Sequence, residues 1–94
     1  MFSNVRFILL NLALMEKANF NKEFGEFIRL KRTNNKWNQL QLGDKMGIDF
    51  QYISRVERGL VSPTLFWISR LAKAFDLPLE KFIKEFTQYL EKNK

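Results

Sequence analysis

The chain has no cysteine and no histidine. Without cysteine there is no disulfide, no thiol chemistry and no Cys-ligated zinc or iron–sulfur cluster. Without histidine the usual general base and the commonest metal ligand are missing, as are Ser–His and Cys–His nucleophile pairs. No G-x-x-x-x-G-K-[ST] phosphate loop is present, and no paired carboxylates are set out for acid–base work. These absences point away from an enzyme and away from any metal or cofactor. Long apolar runs are lacking too. The most apolar stretch, Val5 to Met15, has eleven residues broken by Arg6 and Asn11, whereas a bilayer span needs about 20. No A-x-A-like cleavage site follows it, which argues against a secretory signal. A cytoplasmic protein with no membrane partner is the expectation.

What is present is a 94-residue chain, 46% hydrophobic and 15% aromatic, enough for one domain with a small core. Its net charge is +6, which favours an anionic partner, either nucleic acid or an anionic membrane surface. Between Arg29 and Arg58 seven residues are basic and three acidic, so the excess is concentrated there.

Periodicity and breaks divide the chain. Residues 1–19 form an apolar extension with three readings: a buried helix on the domain, a helix in a dimer interface, or a stretch preceding a true start at Met15. Residues 20–94 form the domain. Asn19 or Asn21 caps a first helix from about Lys22 to Asn34, with Phe24, Phe27 and Ile28 as its apolar stripe. Asn34–Asn35–Lys36 supplies the break, since asparagine tolerates the left-handed conformation that a helix end often needs. Asn38 caps a second helix. A Ser62 cap with Pro63 at the first helical position opens a fourth, running to Phe75 with Leu65, Ile68, Leu71, Ala72 and Phe75 inward. A last helix runs from about Leu79 to Glu91, with Leu79, Phe82, Ile83, Phe86 and Leu90 on one face. No stretch alternates as a strand does, so the class is all-α.

The segment Gln39 to Gly59 is the informative one. Gly47 provides a turn needing φ > 0. Gly43 sits inside a helix at a cost of about 1 kcal/mol against alanine, which implies that another backbone approaches it closely. Asp49 caps the helix after the turn and Gly59 ends it. Ile53 and Val56 point back at Leu42 and Met46. This is the spacing of a DNA-binding helix-turn-helix, and equally of an αα-hairpin in a core. Phe50, Gln51, Tyr52, Ser54, Arg55 and Arg58, crowded on the outer side, favour the former.

Taken together, several pieces resemble the Cro/C1-type (Xre) helix-turn-helix family. They are Gly25-x-x-Ile28-x-x-x-Arg32, Asn38-Gln39-x-x-Leu42-Gly43, Gly47-Ile48, Tyr52-Ile53-Ser54-Arg55-Val56-Glu57-Arg58-Gly59, Ser62-Pro63-Thr64 and Leu71-Ala72-Lys73-Ala74-Phe75. The resemblance runs from Phe24 to Phe86 and looks most like restriction–modification controller proteins and phage repressors. It departs from the family at Lys36, commonly glycine, at Gly43, commonly alanine, and at Lys31, commonly leucine. Phe66 and Trp67 are also larger than usual.

The resemblance implies a lambda repressor-like five-helix domain whose third helix enters the major groove of double-stranded DNA. Phe50, Gln51 and Arg55 then face bases. Arg55 suits guanine, Gln51 suits adenine, and Phe50 suits a thymine methyl or else packs locally. Asn38, Gln39, Tyr52, Ser54 and Arg58 are the phosphate candidates, and Arg32 and Glu57 form a structural ion pair. Such proteins bind inverted repeats as homodimers. The last helix, through Phe82, Ile83, Phe86, Tyr89 and Leu90, either supplies the dimer interface or finishes the monomer core. The implied function is a DNA-binding transcriptional regulator. The alternatives are an antitoxin-type module that also holds a protein toxin and a membrane-surface binder.

Overall fold

The computed structural model describes Leu10 and residues 15–92. Among the described residues there are five helices and no strand: α1 (Lys17–Asn34), α2 (Gln39–Met46), α3 (Phe50–Glu57), α4 (Leu65–Ala74) and α5 (Leu79–Lys92). None of these helices is long and apolar enough to cross a membrane. Apart from Leu10 and residues 15–19, the N-terminal extension lies outside the described residues. Residues 17–19 are the first turn of α1.

The start of α1 departs from expectation. The helix begins five residues earlier than Lys22, after Glu16, with no side-chain cap. Asn19 and Asn21 therefore sit inside it. Asn21 is buried, and its Oδ1 accepts a hydrogen bond from Ser62 Oγ at 2.6 Å. Tertiary packing supplies what capping does not: Phe20 meets the edge of Phe86 at 5.7 Å and stacks on Phe24 at 5.9 Å. Ser62, engaged with α1, is not the cap of α4. That role falls to Thr64, whose side chain accepts from Trp67 N–H. The helix thus opens two residues beyond Pro63, and Leu65, expected inward, is turned out to 66% exposure. Phe75 lies just past the helix and stacks on Trp37 at 5.3 Å.

The turn after α1 also differs. The left-handed residue is Lys36, at φ 60°, not Asn34 or Asn35. A side chain there costs roughly 1–2 kcal/mol. The turn is held nonetheless, because Lys36 N–H and Trp37 N–H donate to the last carbonyls of the helix.

The core gathers Phe24, Phe27 and Ile28 from α1, Leu42 and Met46 from α2, Ile53 and Val56 from α3, Ile68, Leu71 and Ala72 from α4, and Phe82, Phe86 and Leu90 from α5. Phe82 and Phe86 lie edge-on to α1 rings, at 5.5 Å from Phe27 and 5.2 Å from Phe24. Three of the five residues proposed for a dimer interface are therefore inside the monomer. Phe82, Phe86 and Leu90 have almost no surface left for a partner; Ile83 and Tyr89 are half-buried. The amphipathic face of α5 is apolar because α1 covers it.

Lys31 takes the place of an apolar residue without breaking the core. Its ammonium pairs with Glu85 on α5 and lies 5.3 Å from the Phe75 ring centroid. A lysine stem can cover apolar surface while its head stays at the edge.

Candidate nucleic-acid interface

Helices α2 and α3 are joined by a three-residue turn whose geometry follows from its sequence. Gly47 is left-handed, at φ 68°. Its N–H donates to Asp44 and that of Ile48 to Gly43, at 3.2 and 3.0 Å, closing the end of α2. Gly43 has the close neighbour its position implied. A Cβ there would lie 3.0 Å from Ile48 O and 3.2 Å from Phe50 Cα. Both helices start on built caps. Asn38 Oδ1 accepts from Gln41 N–H while Gln41 Oε1 accepts from Asn38 N–H, a reciprocal capping box. Asp49 accepts from Gln51 N–H at 2.9 Å.

The two sides of α3 divide sharply. Ile53 and Val56 are fully buried, at 0% and 1% exposure. Phe50, Gln51 and Arg55 are exposed on the same helix, as is Arg58 at its C-cap. Tyr52 and Ser54 are half-buried, and the Tyr52 ring meets Trp67 of α4 edge-on at 5.2 Å. Tyr52 is thus a packing residue as well as a phosphate candidate. Arg58 Nε donates to the Ser54 carbonyl.

At the far end of α3 one carboxylate gathers three elements. Arg32 Nε donates to Glu57 Oε2 at 2.7 Å and Nη2 to Oε1 at 3.0 Å. Its Nη1 donates to the Trp37 carbonyl at 2.8 Å. Gln39 Nε2, from the first turn of α2, donates to the same Glu57 Oε1. The pair is largely but not fully buried, with side-chain exposures of 11% and 3%. The hydrogen bond to Glu57 raises the Arg32 pKa above its ordinary value; burial opposes this and the charge of Glu57 adds to it. A carboxylate at a helix C-terminus meets the negative end of the helix dipole. The bidentate guanidinium offsets that cost and fixes the angle between α1 and α3.

The structure thus brings Gln39 to Arg32 and Glu57, a convergence that motif position alone did not reveal. Gln39 keeps one amide hydrogen, and Asn38 its whole NH₂ group, as donors an anion would need. Two further residues have roles that the sequence reading did not give them. Gly25 passes so close to α3 that a Cβ there would lie 2.4 Å from Val56 O. A mid-helix glycine ahead of an apolar stripe was the available signal. Arg70 of α4 donates to the Met46 carbonyl and lies 3.3 Å from where Gly47 would carry a Cβ. Nothing in its spacing marks it.

Comparison with known proteins matches residues 28–82 to the helix-turn-helix family model. Two curated relatives are uncharacterized HTH-type transcriptional regulators from two strains of Mycobacterium tuberculosis, CDC 1551 / Oshkosh and ATCC 25618 / H37Rv. Each is 38% identical over 56 residues, which is 60% of this chain and 40% of the relative. The chain therefore spans about two fifths of the length of those relatives.

Proposed function

This chain belongs to the Cro/C1-type helix-turn-helix family, and from that premise we propose that it is a sequence-specific DNA-binding transcriptional regulator that acts without catalysis. It binds an inverted-repeat operator as a homodimer, with α3 in the major groove. The observation that carries this reading is the division of α3: its inner side chains are fully buried, and Phe50, Gln51 and Arg55 stand out in solvent on a helix braced at both ends. Arg55 donates two hydrogen bonds to a guanine, Gln51 pairs with adenine, and Phe50 covers a thymine methyl. Asn38, Gln39, Tyr52, Ser54 and Arg58 set the register through phosphates. That the two relatives are described as HTH-type transcriptional regulators supports a regulator as well.

Two copies on an inverted repeat place their reading helices about 34 Å apart. With Phe82, Phe86 and Leu90 in the core, the surface that α1 and α5 leave for self-association is Ile83, Tyr89 and Leu30. Leu30 is 49% exposed and shares a groove with Tyr89.

Selection of random duplexes on the purified protein is the direct test, and it should yield a two-fold symmetric consensus. Against that site, Arg55→Ala should relax preference at one position and cost roughly 1–3 kcal/mol. Gln39→Ala should weaken all duplexes alike, because its contact carries no base information. A protein that shows no preference among duplexes, or on which the two substitutions act alike, would overturn the reading. Sedimentation as a monomer both free at high micromolar concentration and on the selected duplex would remove the homodimer.

A further inference from the structure

A groove of about 530 Å³ runs between the C-terminal end of α2 and α4, lined by Lys45, Met46, Phe66, Arg70, Lys73 and Ala74. It shares no residue with the expected DNA-contacting set. Every titratable side chain in it is a cation, and none of the three belongs to the ion pairs among the described residues. In its midst Phe66 is 70% exposed, the most exposed of the large apolar residues described. The Arg70 guanidinium carbon lies 5.9 Å from the Phe66 ring centroid, and Lys45 Nζ lies 4.6 Å from the Trp37 ring centroid. Arg70 is thus set beside the exposed Phe66 ring, and Lys45 rests on Trp37 at the groove's edge.

We propose that this groove docks an acidic amphipathic segment of a partner protein, its carboxylates on Lys45, Arg70 and Lys73 and an apolar side chain on Phe66. Charge complementarity selects the occupant. A phosphate backbone would meet the three cations but leave Phe66 in water, whereas an apolar centre with a charged rim is the anatomy of a protein interface. The volume suits one or two large side chains, since ligand pockets span roughly 300–1,000 Å³. Arg70 is already held by the Met46 carbonyl, so its guanidinium is ordered before a partner arrives, and less entropy is lost on binding. Because the groove and α3 have no residue in common, the two sites can be tested separately. The inference does not depend on the DNA-binding reading.

The test uses the full chain and a synthetic helical peptide with glutamates along one side and leucine and phenylalanine along the other. Amide shifts in NMR titration should centre on Phe66, Arg70 and Lys73. Phe66→Ser and Lys73→Glu should each weaken the peptide roughly tenfold, as loss of an anchor does. Both substitutions should leave duplex affinity within about twofold. A lysine-for-glutamate version of the peptide should not bind. The proposal fails if the lysine peptide binds equally or if the acidic peptide is silent at millimolar concentration. It also fails if shifts fall on α3 and a duplex competes them away. Concentration-dependent shifts at Phe66 in the free protein would assign the groove to a second copy of the chain and overturn the proposal as well.

Discussion

Single residues in this chain are set by how near their neighbours come. Gly25 and Gly43 are both mid-helix glycines, yet they are not equivalent. At Gly25 a methyl group would meet backbone carbonyls of α3 at 2.4 and 2.7 Å, and these cannot swing aside. Gly25→Ala should therefore lower stability by about 1–3 kcal/mol despite the better helix propensity of alanine. At Gly43 the nearest atoms are at 3.0 and 3.2 Å, so a shift of a few tenths of an ångström suffices, and Gly43→Ala should fall within about 1 kcal/mol of wild type. Urea midpoints of the two variants separate these outcomes. The buried pair allows a second test. Arg32→Met leaves the Glu57 carboxylate without its cation and should cost about 3–5 kcal/mol. Adding Glu57→Leu removes the stranded charge and should recover most of the loss in thermal unfolding. Failure to recover would mean that Gln39, deprived of its acceptor, matters as much as the arginine.

Elements were legible to different depths, and for physical reasons. The turn between α2 and α3 was readable in full, because its chemistry is local. Gly47 must be left-handed, and Asn38 and Asp49 satisfy N–H groups two or three residues on. The ends of α1 and α4 were not, because distant contacts decide them. Asn21 and Ser62 look like caps, but 41 positions apart they hydrogen-bond to each other, which keeps Asn21 within its helix and passes the cap of α4 to Thr64. The apolar stripe of α1 held as expected. That of α4 lost Leu65, because starting the helix after Thr64 leaves Leu65 in the exposed first turn. Cap substitutions should reflect this. Thr64→Ala and Asp49→Ala should each cost about 1 kcal/mol in chemical denaturation, while Asn19→Ala, a helical and exposed position, should be neutral or slightly stabilising.

For the molecule as a whole, the decisive feature is the aromatic wall between α1 and α5. Its existence was legible from spacing, but its use was not. Periodicity shows that α5 has an apolar face and is silent on whether α1 or another protomer covers it. Phe86 has 2% exposure and sits between the Phe20 and Phe24 rings, so Phe86→Ala should cost about 3–5 kcal/mol in thermal unfolding of a dilute monomer. Ile83→Ala should cost less there and show its effect in self-association. Of the residues that motif position marks for DNA, Asn38, Phe50, Gln51, Arg55 and Arg58 are exposed, whereas Gln39, Tyr52 and Ser54 are half-buried. What the motif did not convey is that Gln39 is tied into the Arg32–Glu57 pair.

That wall also sets an order of events during synthesis. The rings of Phe20, Phe24 and Phe27 leave the ribosome well before their cover, since Phe86 is made 62 positions after Phe24. At translation rates of 5–20 residues per second the interval is roughly 3–12 s. Throughout it the Phe20, Phe24 and Phe27 rings lack the cover that Phe82 and Phe86 supply. The aromatic wall behind α2 and α3 is therefore complete only once α5 has closed onto α1.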